Sequence, residues 1–193
     1  MNQVVSITKS INSYEDVHQK FNLKRTEKEQ FFLEWFENIP ELTEYEKSTL
    51  DKIRQRYINH REKGLLTEST VIILVIAPLL ELAGFYDPPF MIKAEESLEI
   101  ELQNQEEILR GCIDVLVIKD KLWILIVEAK NTQLTAELAI PQCLAYMMGH
   151  SNIEKPIFGL VSNGGEFILL KLSKQETAEY DISRIFSLLP RQN

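Results

Sequence analysis

Two apolar runs in the middle of the chain constrain its fold more than any other feature. Residues 113–118 (IDVLVI) and 122–127 (LWILIV) are rich in β-branched and aromatic residues, and a polar segment, 119–121, separates them. Two such runs joined by a short turn predict an antiparallel β-hairpin. Asp114 lies within the first run, and the second run continues into 128–130 (EAK), so the hairpin brings charged residues together.

These charged residues form a candidate catalytic group. Side chains alternate between the two faces of a strand, so Glu128 and Lys130 point to the same side, close to Asp114 in the hairpin. Two carboxylates can bind a hard divalent cation, and a neighbouring ammonium can contact the water that this cation activates. An edge position or a buried ion pair with a lysine would account for the same residues without catalysis.

A helix that follows the hairpin adds two polar side chains. A segment that begins at residue 135 or 136 and ends at 148 is predicted to be helical. Pro141 indicates either a kink or a start near Ile140. Gln142 and Tyr146 are four residues apart and therefore share one face of this helix.

The order of these residues resembles that of the PD-(D/E)xK nuclease superfamily. Asp114, then Glu128-x-Lys130 on a hairpin, then Gln142-x-x-x-Tyr146 on the next helix carry the resemblance. More narrowly, the chain is similar to the N-terminal nuclease domain of type I restriction enzyme R subunits and to small stand-alone cyanobacterial proteins of that type. The similar region runs from residue 68 to residue 172, and it includes the segments 68–70, 77–85 and 159–164.

The resemblance implies an α/β fold with a restriction-endonuclease-like core, in which helices flank a mixed central β-sheet. It implies that Asp114, Glu128 and the backbone carbonyl of Ala129 hold Mg²⁺, for which Mn²⁺ can substitute. Lys130 would hold or help deprotonate the attacking water. Glu68 would be an acid close to the metal ligands or at a second metal.

The activity implied by the resemblance is hydrolysis of DNA phosphodiester bonds. Gln142 and Tyr146 would orient Lys130 or a DNA phosphate by hydrogen bonds. Three alternatives stay open: a non-catalytic nucleic-acid-binding or dimerising module on the same fold, a nuclease subunit that needs a partner, and a small-molecule hydrolase. The expected partners are DNA, a second copy in a homodimer, or other subunits of a restriction system. No phosphate-binding loop of the Gly-x-x-x-x-Gly-Lys-Ser/Thr type occurs in the sequence.

The chain is predicted to have one nuclease core, 67–193, preceded by a helical extension, 1–66, that packs on it. Residues 1–13 have little periodicity and are expected to be loose or a short edge element. Residues 14–36 are predicted to be a helix, with a capping box at Thr26 and Glu29. The aromatic stripe of this helix would face the core or build a dimer interface, and it consists of Phe32, Trp35 and Phe36.

A second helix, 44–62, is predicted after a break at 38–41, and Thr43 with Glu46 would cap it. Lys52 and Arg56 lie on its outer face, where they would be either a solvated surface or contacts to DNA phosphates. The net charge of −8 and pI near 5.0 argue against a strong nucleic-acid binder. Binding through such a local basic face would be weak and strongly dependent on salt.

The other elements follow from periodicity and turn signals. We predict a buried helix 67–83 that ends at Gly84, strands 90–102, from 108 onward, 157–161 and 166–172, turns at 104–107 and 162–165, and a last helix, 178–189. Gly111 is expected to mark a bulge or a close backbone approach.

Cysteine usage and hydropathy suggest the compartment. Cys112 and Cys143 lie in apolar contexts and are predicted to be buried free thiols, which indicates a reducing compartment. No secretory signal pattern opens the chain, and the apolar stretch 71–82 is shorter than the roughly 20 residues that span a bilayer. We therefore expect a cytoplasmic protein without membrane association.

Overall fold

The computed structural model of the protein describes residues 3–102, 107–120 and 122–189. Within these residues, a mixed nine-stranded β-sheet has helices on both faces, which is an α/β architecture. The strands are β1 (Gln3–Ser6), β2 (Lys24–Arg25), β3 (Phe90–Glu101), β4 (Glu107–Lys119), β5 (Leu122–Ala129), β6 (Ile157–Ser162), β7 (Glu166–Ser173), β8 (Glu179–Ile182) and β9 (Phe186–Ser187). Their order is β1-β4-β5-β6-β7-β8-β2, with β3 paired to β4 and β9 paired to β7.

The helices divide between the two faces of the sheet. They are α1 (Ile7–Ser10), α2 (Tyr14–Phe21), α3 (Glu44–Arg61), α4 (Glu68–Val71), α5 (Ala77–Leu82) and α6 (Ile140–Met148). A π-helical turn, Ile72–Ile76, joins α4 to α5, and a 3₁₀ turn, Ala136–Ala139, leads into α6.

Each face of the sheet has its own apolar core. On one face, α1, α2 and α6 pack against the sheet, and Leu116 and Ile126 belong to this core. On the other face, α3 and the helix 68–82 pack against Val115, Val127 and Phe167. Burial of these apolar side chains is the main favourable term that holds the helices on the sheet.

Several predictions are confirmed. β4 and β5 form the expected antiparallel hairpin, with Val115 opposite Val127. Thr43 and Glu46 cap α3 reciprocally, as the capping-box pattern predicts. The helix 68–82 begins after Thr67, and α6 begins at residue 140 with proline in its first turn, so proline starts this helix rather than kinking it.

The helix predicted for 14–36 is wrong beyond Phe21. Asn22 has a left-handed backbone (φ 51°) that ends α2, and Lys24 and Arg25 then pair in parallel with β8. Thr26 does not cap a helix, because its Oγ1 accepts a hydrogen bond from the Lys28 N–H within a turn. Long-range strand pairing outweighs the local helical pattern here.

The aromatic residues after this turn have separate packing roles. Phe32 is buried and its ring contacts Phe158, whereas Trp35 packs edge-on against Phe186. The three aromatic residues of the predicted stripe do not lie on a helix. In this part of the described chain they lie in turns and in a loop. The predicted apolar stripe is therefore wrong as a helical feature, although its residues do pack onto the fold.

The last helix predicted for 178–189 is also wrong. This segment forms β8 and β9, and both pair with β7 in antiparallel register. Strand β7 has one edge on β6 and would otherwise expose the backbone groups of its other edge. Pairing satisfies those groups, which a helix would not do.

The extension 1–66 supplies strands as well as helices. β1 and β2 form the two ends of the strand order, so this segment adds to both sides of the sheet. The expected short edge element near the start of the chain is β1, and residues 1 and 2 lie outside the described residues. The proposed boundary at residue 66 stays a prediction.

The predictions for the cysteines, the turns and the membrane have different outcomes. Cys143 is buried as expected, but Cys112 is exposed and lines a cleft, so its predicted burial is wrong. Three of the four residues of the predicted turn 104–107, and residue 121 of the turn 119–121, lie outside the described residues. None of the helices in the described ranges has the length and apolar character needed to cross a membrane.

The β3–β4 ribbon exchanges its two faces at one step. Ile113 and Leu116 belong to one core although they are three positions apart and should face opposite sides, while Val115 belongs to the other core. On β3, the residue opposite Asp114 is Glu95, whose backbone is left-handed (φ 52°). Neither residue is paired in the ladder at this step, so Asp114 lies where the regular alternation of side chains is broken.

The left-handed backbone at Glu95 predicts a stabilising glycine substitution. Because a side chain in this conformation costs about 1 kcal/mol or more, Glu95→Gly should raise the free energy of unfolding by about 0.5–1 kcal/mol. Urea denaturation measures this change. Glu96→Gly is the matched control, and it should destabilise the protein because glycine weakens an ordinary strand position. Destabilisation by both substitutions would contradict the assignment of strain to residue 95.

Candidate active site

A gap in the sheet beside β4 contains the first predicted site residue. One edge of β4 pairs with β1 over 107–110 and with β5 over 115–119. Residues 111–114 lie between these two ladders and have no strand partner on that edge in the described part of the sheet. β1 is parallel and β5 antiparallel to β4, so the carboxyl ends of β1 and β5 face each other across the gap.

Asp114 closes the hairpin ladder with its side chain. Its Oδ2 accepts a hydrogen bond from the Ala129 N–H at 2.6 Å, one step beyond the last backbone pair of the hairpin. Burial raises the pKa of Asp114, and the Ala129 N–H and the Lys130 ammonium act against this rise. The carboxylate therefore has one oxygen held by the backbone, and the residue lines a cleft.

Glu128 lies at the end of β5 and is almost completely buried. The residue is 2% exposed, and its Oε1 accepts a hydrogen bond from Lys130 Nζ at 2.6 Å. Its Oε2 is buried and has no hydrogen-bond partner among the described residues. Burial and the nearby Asp114 charge raise the pKa of Glu128 to about 8.

Lys130 follows β5 and is fixed at both its backbone and its side chain. Its N–H donates to the Ser162 carbonyl at 2.8 Å, and its Nζ also donates to Gln142 Oε1 at 3.3 Å. Burial alone would lower the pKa of Lys130, but the charge and hydrogen bond of Glu128 raise it above its ordinary value. The ammonium therefore stays protonated at neutral pH.

α6 supports this lysine from one face of the sheet. Gln142 Nε2 donates to the Tyr146 hydroxyl at 2.8 Å, and the tyrosine is buried. Burial raises the pKa of Tyr146. A Cβ added to Gly111 would lie 2.5 Å from Tyr146 Cε1, so glycine leaves the space that this ring fills. The expected close approach at Gly111 is confirmed, and contacts run from Tyr146 through Gln142 to Lys130.

Glu68 reaches the same place from the opposite helical layer. It is the first residue of α4, and the Thr67 side chain caps this helix by accepting from the Thr70 N–H. The charge of Glu68 raises the pKa of both Asp114 and Glu128. The site thus lies where the two helical layers meet around the end of β5.

A cleft of about 600 Å³ contains all six predicted catalytic residues. Its lining also includes residues that the sequence analysis did not select, namely Val4, Ser6, Thr8, Ser97, Arg110 and Cys112. A second hollow of about 510 Å³ continues from it, with Glu68 common to both, and is lined by neutral polar residues such as Thr67 and Asn131. The additional residues that line the first cleft come together only in the tertiary structure, because β1 pairs with β4 across about a hundred residues of sequence. They form the wall of the cleft.

The structure does not bring the two basic residues of α3 into this cleft. Lys52 and Arg56 are exposed on α3, which packs against the helix 68–82, and neither lines either hollow. Their contact with DNA phosphates stays a prediction.

The donor set of the cleft suits a cation that needs few protein ligands. No cluster of three or more His, Cys, Asp or Glu side chains suited to a metal ion occurs among the described residues. Mg²⁺ is commonly held by one or two carboxylates, with waters and substrate oxygens completing its coordination. Asp114 and Glu128, with the unpartnered Oε2, fit this requirement. The role of the Ala129 carbonyl stays a prediction.

Comparisons with known proteins add one structural similarity. No protein-family model and no curated protein matches the chain. Among solved structures, it is similar to a fragment described as an HsdR subunit of a type I restriction enzyme from Vibrio vulnificus YJ016, at 19% identity and a TM-score of 0.45. The similarity covers 64% of this chain and 24% of that one, so the chain spans about a quarter of that protein.

Proposed function

We propose that the chain is a divalent-metal-dependent deoxyribonuclease with a restriction-endonuclease-like core. The observation that carries the proposal is the environment of Glu128. Its carboxylate is buried beside a second acid and a lysine, yet one oxygen has no partner, and this group lines an open cleft. A bound Mg²⁺ would be coordinated by that oxygen.

A purely structural ion pair explains this arrangement less well. Two acids close together in a buried place cost free energy, and a buried pair is favourable only when its remaining lone pairs are satisfied. The pKa of Glu128 is raised by burial and by Asp114, which means that the site disfavours its own second negative charge. Strongly perturbed groups of this kind in a cleft are typical of functional sites.

Hydrolysis of a phosphodiester needs an activated water and compensation of the growing negative charge. Mg²⁺ held by Asp114 and Glu128 would lower the pKa of a bound water and offset phosphoryl charge. Lys130 keeps its proton, so its ammonium acts as a hydrogen-bond donor and a fixed positive charge towards the phosphoryl oxygens or the water.

The surrounding residues position this ammonium. Gln142 holds Nζ, and the Tyr146 hydroxyl holds Gln142, so rotation of the lysine side chain is restricted. Restricted donors stabilise a transition state without reorganisation at the moment of reaction. Glu68 would contribute a further carboxylate at the open side of the cleft, close to the metal ligands or at a second metal.

DNA is the proposed substrate, and other components can contribute to its binding. The net charge of −8 predicts weak intrinsic affinity, and binding should fall steeply as salt rises. A second copy of the chain or other subunits of a restriction system are the proposed partners in DNA binding. A non-catalytic binding module on the same fold is the alternative, and it would not require a metal.

Cleavage of supercoiled plasmid, linear duplex and single-stranded DNA in Mg²⁺ or Mn²⁺ tests the proposal. The matched control is Asp114→Asn, which keeps an oxygen to accept the Ala129 N–H but loses the charge. We expect cleavage by the wild type, none with EDTA, and a loss of about a hundredfold or more in the variant. Equal cleavage by both proteins, or no cleavage of any substrate, would contradict the proposal.

A further inference from the structure

We propose that Arg110 is a second phosphate-binding group of the cleft, and that Glu99 holds its guanidinium until nucleic acid replaces the carboxylate. This inference rests on the proposed function, because it takes a nucleic-acid backbone as the ligand. It concerns binding and not the chemical step.

The position of Arg110 suits a phosphate next to the one that is cleaved. It lies on β4 four residues before Asp114 and lines the same cleft. At about 3.3 Å per residue along a strand, the two positions are about 13 Å apart. With its backbone that far from Asp114, Arg110 is placed to contact a different phosphate of the same substrate.

The charge of the cleft makes such a contact necessary. Three acids line it, Glu68, Asp114 and Glu128, and its lysine is already paired with Glu128. Among the described residues that line the cleft, Arg110 is the other cation. An approaching polyanion therefore has one positively charged side chain in the cleft that is not committed to the catalytic group.

The ion pair of Arg110 is of a kind that exchanges easily. Its Nε and Nη2 both approach Glu99 Oε1, at 2.7 and 2.6 Å. The two side chains are 60% and 54% exposed, and exposed pairs contribute little net stability. A guanidinium binds phosphate with its two parallel N–H donors, so replacement of Glu99 by a phosphate retains the donor geometry.

The register holds Arg110 and Glu99 beside the cleft. Arg110 is opposite Glu99 on β3 and opposite Ser6 on β1, so strands fix its backbone on both sides. The guanidinium can therefore change partner without a change in the fold. Ser6 also lines the cleft and places a hydroxyl near the same edge.

Fluorescence anisotropy with a short labelled duplex DNA tests this inference. Ca²⁺ replaces Mg²⁺, and gel analysis afterwards verifies that the duplex is intact. Arg110→Gln should weaken binding about tenfold, and it should lower the slope of log affinity against log salt by about one. Glu99→Gln should strengthen binding several-fold, because it frees the guanidinium and removes a negative charge.

A second ion pair on the same ribbon gives matched controls. Lys93 and Glu96 are also partly exposed and paired at 2.7 Å, but neither lines the cleft. Lys93→Gln and Glu96→Gln should leave the affinity within about twofold of the wild type, as expected for surface changes outside a contact. Thermal melting of all four variants verifies that they fold.

Two results would overturn the inference. Wild-type affinity in Arg110→Gln would show that this side chain does not contact the DNA. Equal weakening of DNA binding by Arg110→Gln and Glu99→Gln would show that binding needs the intact ion pair, so Glu99 does not compete with the phosphate. Plasmid cleavage by the wild type in Mg²⁺ separates this failure from failure of the proposed function. A wild type that neither binds nor cleaves would overturn both.

Discussion

Glu128→Gln is expected to abolish DNA cleavage and to make the protein more stable at alkaline pH. The substitution removes a proposed metal ligand, so cleavage should fall by about a thousandfold or more. It also removes a buried acid that is costly to ionise, because burial and Asp114 raise the pKa of Glu128 to about 8. Loss of activity with a gain of stability is typical of a strained functional site.

The sign of the pH dependence follows from the two pKa values. In the unfolded chain Glu128 ionises near 4.5, whereas in the folded protein it ionises near 8. Its contribution to stability is therefore fully present below pH 4.5 and is lost as the pH rises to about 8. Glutamine does not titrate, so the advantage of the variant should grow across this range to at least about 1 kcal/mol.

Urea denaturation in EDTA at several pH values measures this effect, because a bound metal would offset the cost of the charge. Glu166→Gln is a suitable control, since Glu166 accepts a hydrogen bond from the Ala136 N–H but lies outside the cleft. A Glu128→Gln variant that is less stable than the wild type at every pH would contradict the raised pKa and the strain at this site.

Lys130→Met is expected to lower the cleavage rate by about a thousandfold or more, comparable to the loss of a preorganised group that stabilises developing charge. The pKa of Lys130 is raised by Glu128, so the residue acts as a cation and not as a base in the free protein. Methionine retains much of the buried side-chain volume. Mn²⁺ binding should persist, because Lys130 contributes no oxygen to the metal.

Single-turnover cleavage at saturating protein measures this rate. Lys155→Met is the matched control, because Lys155 is exposed and lies outside the cleft, and it should cleave at the wild-type rate. Retention of more than about a tenth of the wild-type rate by Lys130→Met would mean that the ammonium does not stabilise the transition state.

The candidate catalytic group could be predicted because its geometry is almost local. Glu128 and Lys130 are two residues apart on one strand, and a short turn brings Asp114 to their side. Gln142 and Tyr146 share a helix face by their spacing alone. Periodicity and turn chemistry contain this information, so the proximity of these residues followed from the sequence.

The wall of the cleft could not be predicted, because it depends on pairing between distant segments. Arg110 has Ser6 and Glu99 as neighbours only after β1 and β3 have joined β4. The same reason explains the error at 14–36, since β2 pairs with the distant β8. At 178–189, β8 and β9 form because they pair with β7. A local pattern cannot indicate such a partner.

The face exchange at Glu95 and Asp114 also had no sequence signal. A left-handed residue within a strand is normally glycine or asparagine, and glutamate gives no indication of it. The reason for the exchange is tertiary, because Ile113 packs into one core, whereas Val115, two positions further along the same strand, packs into the other. Because the alternation of side chains is interrupted here, the Asp114 carboxylate reaches the Ala129 N–H at the end of β5.

Calorimetric titration of the wild-type protein with Mn²⁺ tests whether the carboxylates of the cleft bind a metal ion. We expect one bound ion per chain near pH 7.5, with release of a proton from Glu128, so the heat should depend on the ionisation enthalpy of the buffer. Binding should disappear in Asp114→Asn and Glu128→Gln. Absence of binding by the wild type at millimolar Mn²⁺, or equal binding by the two variants, would contradict a metal site at these carboxylates.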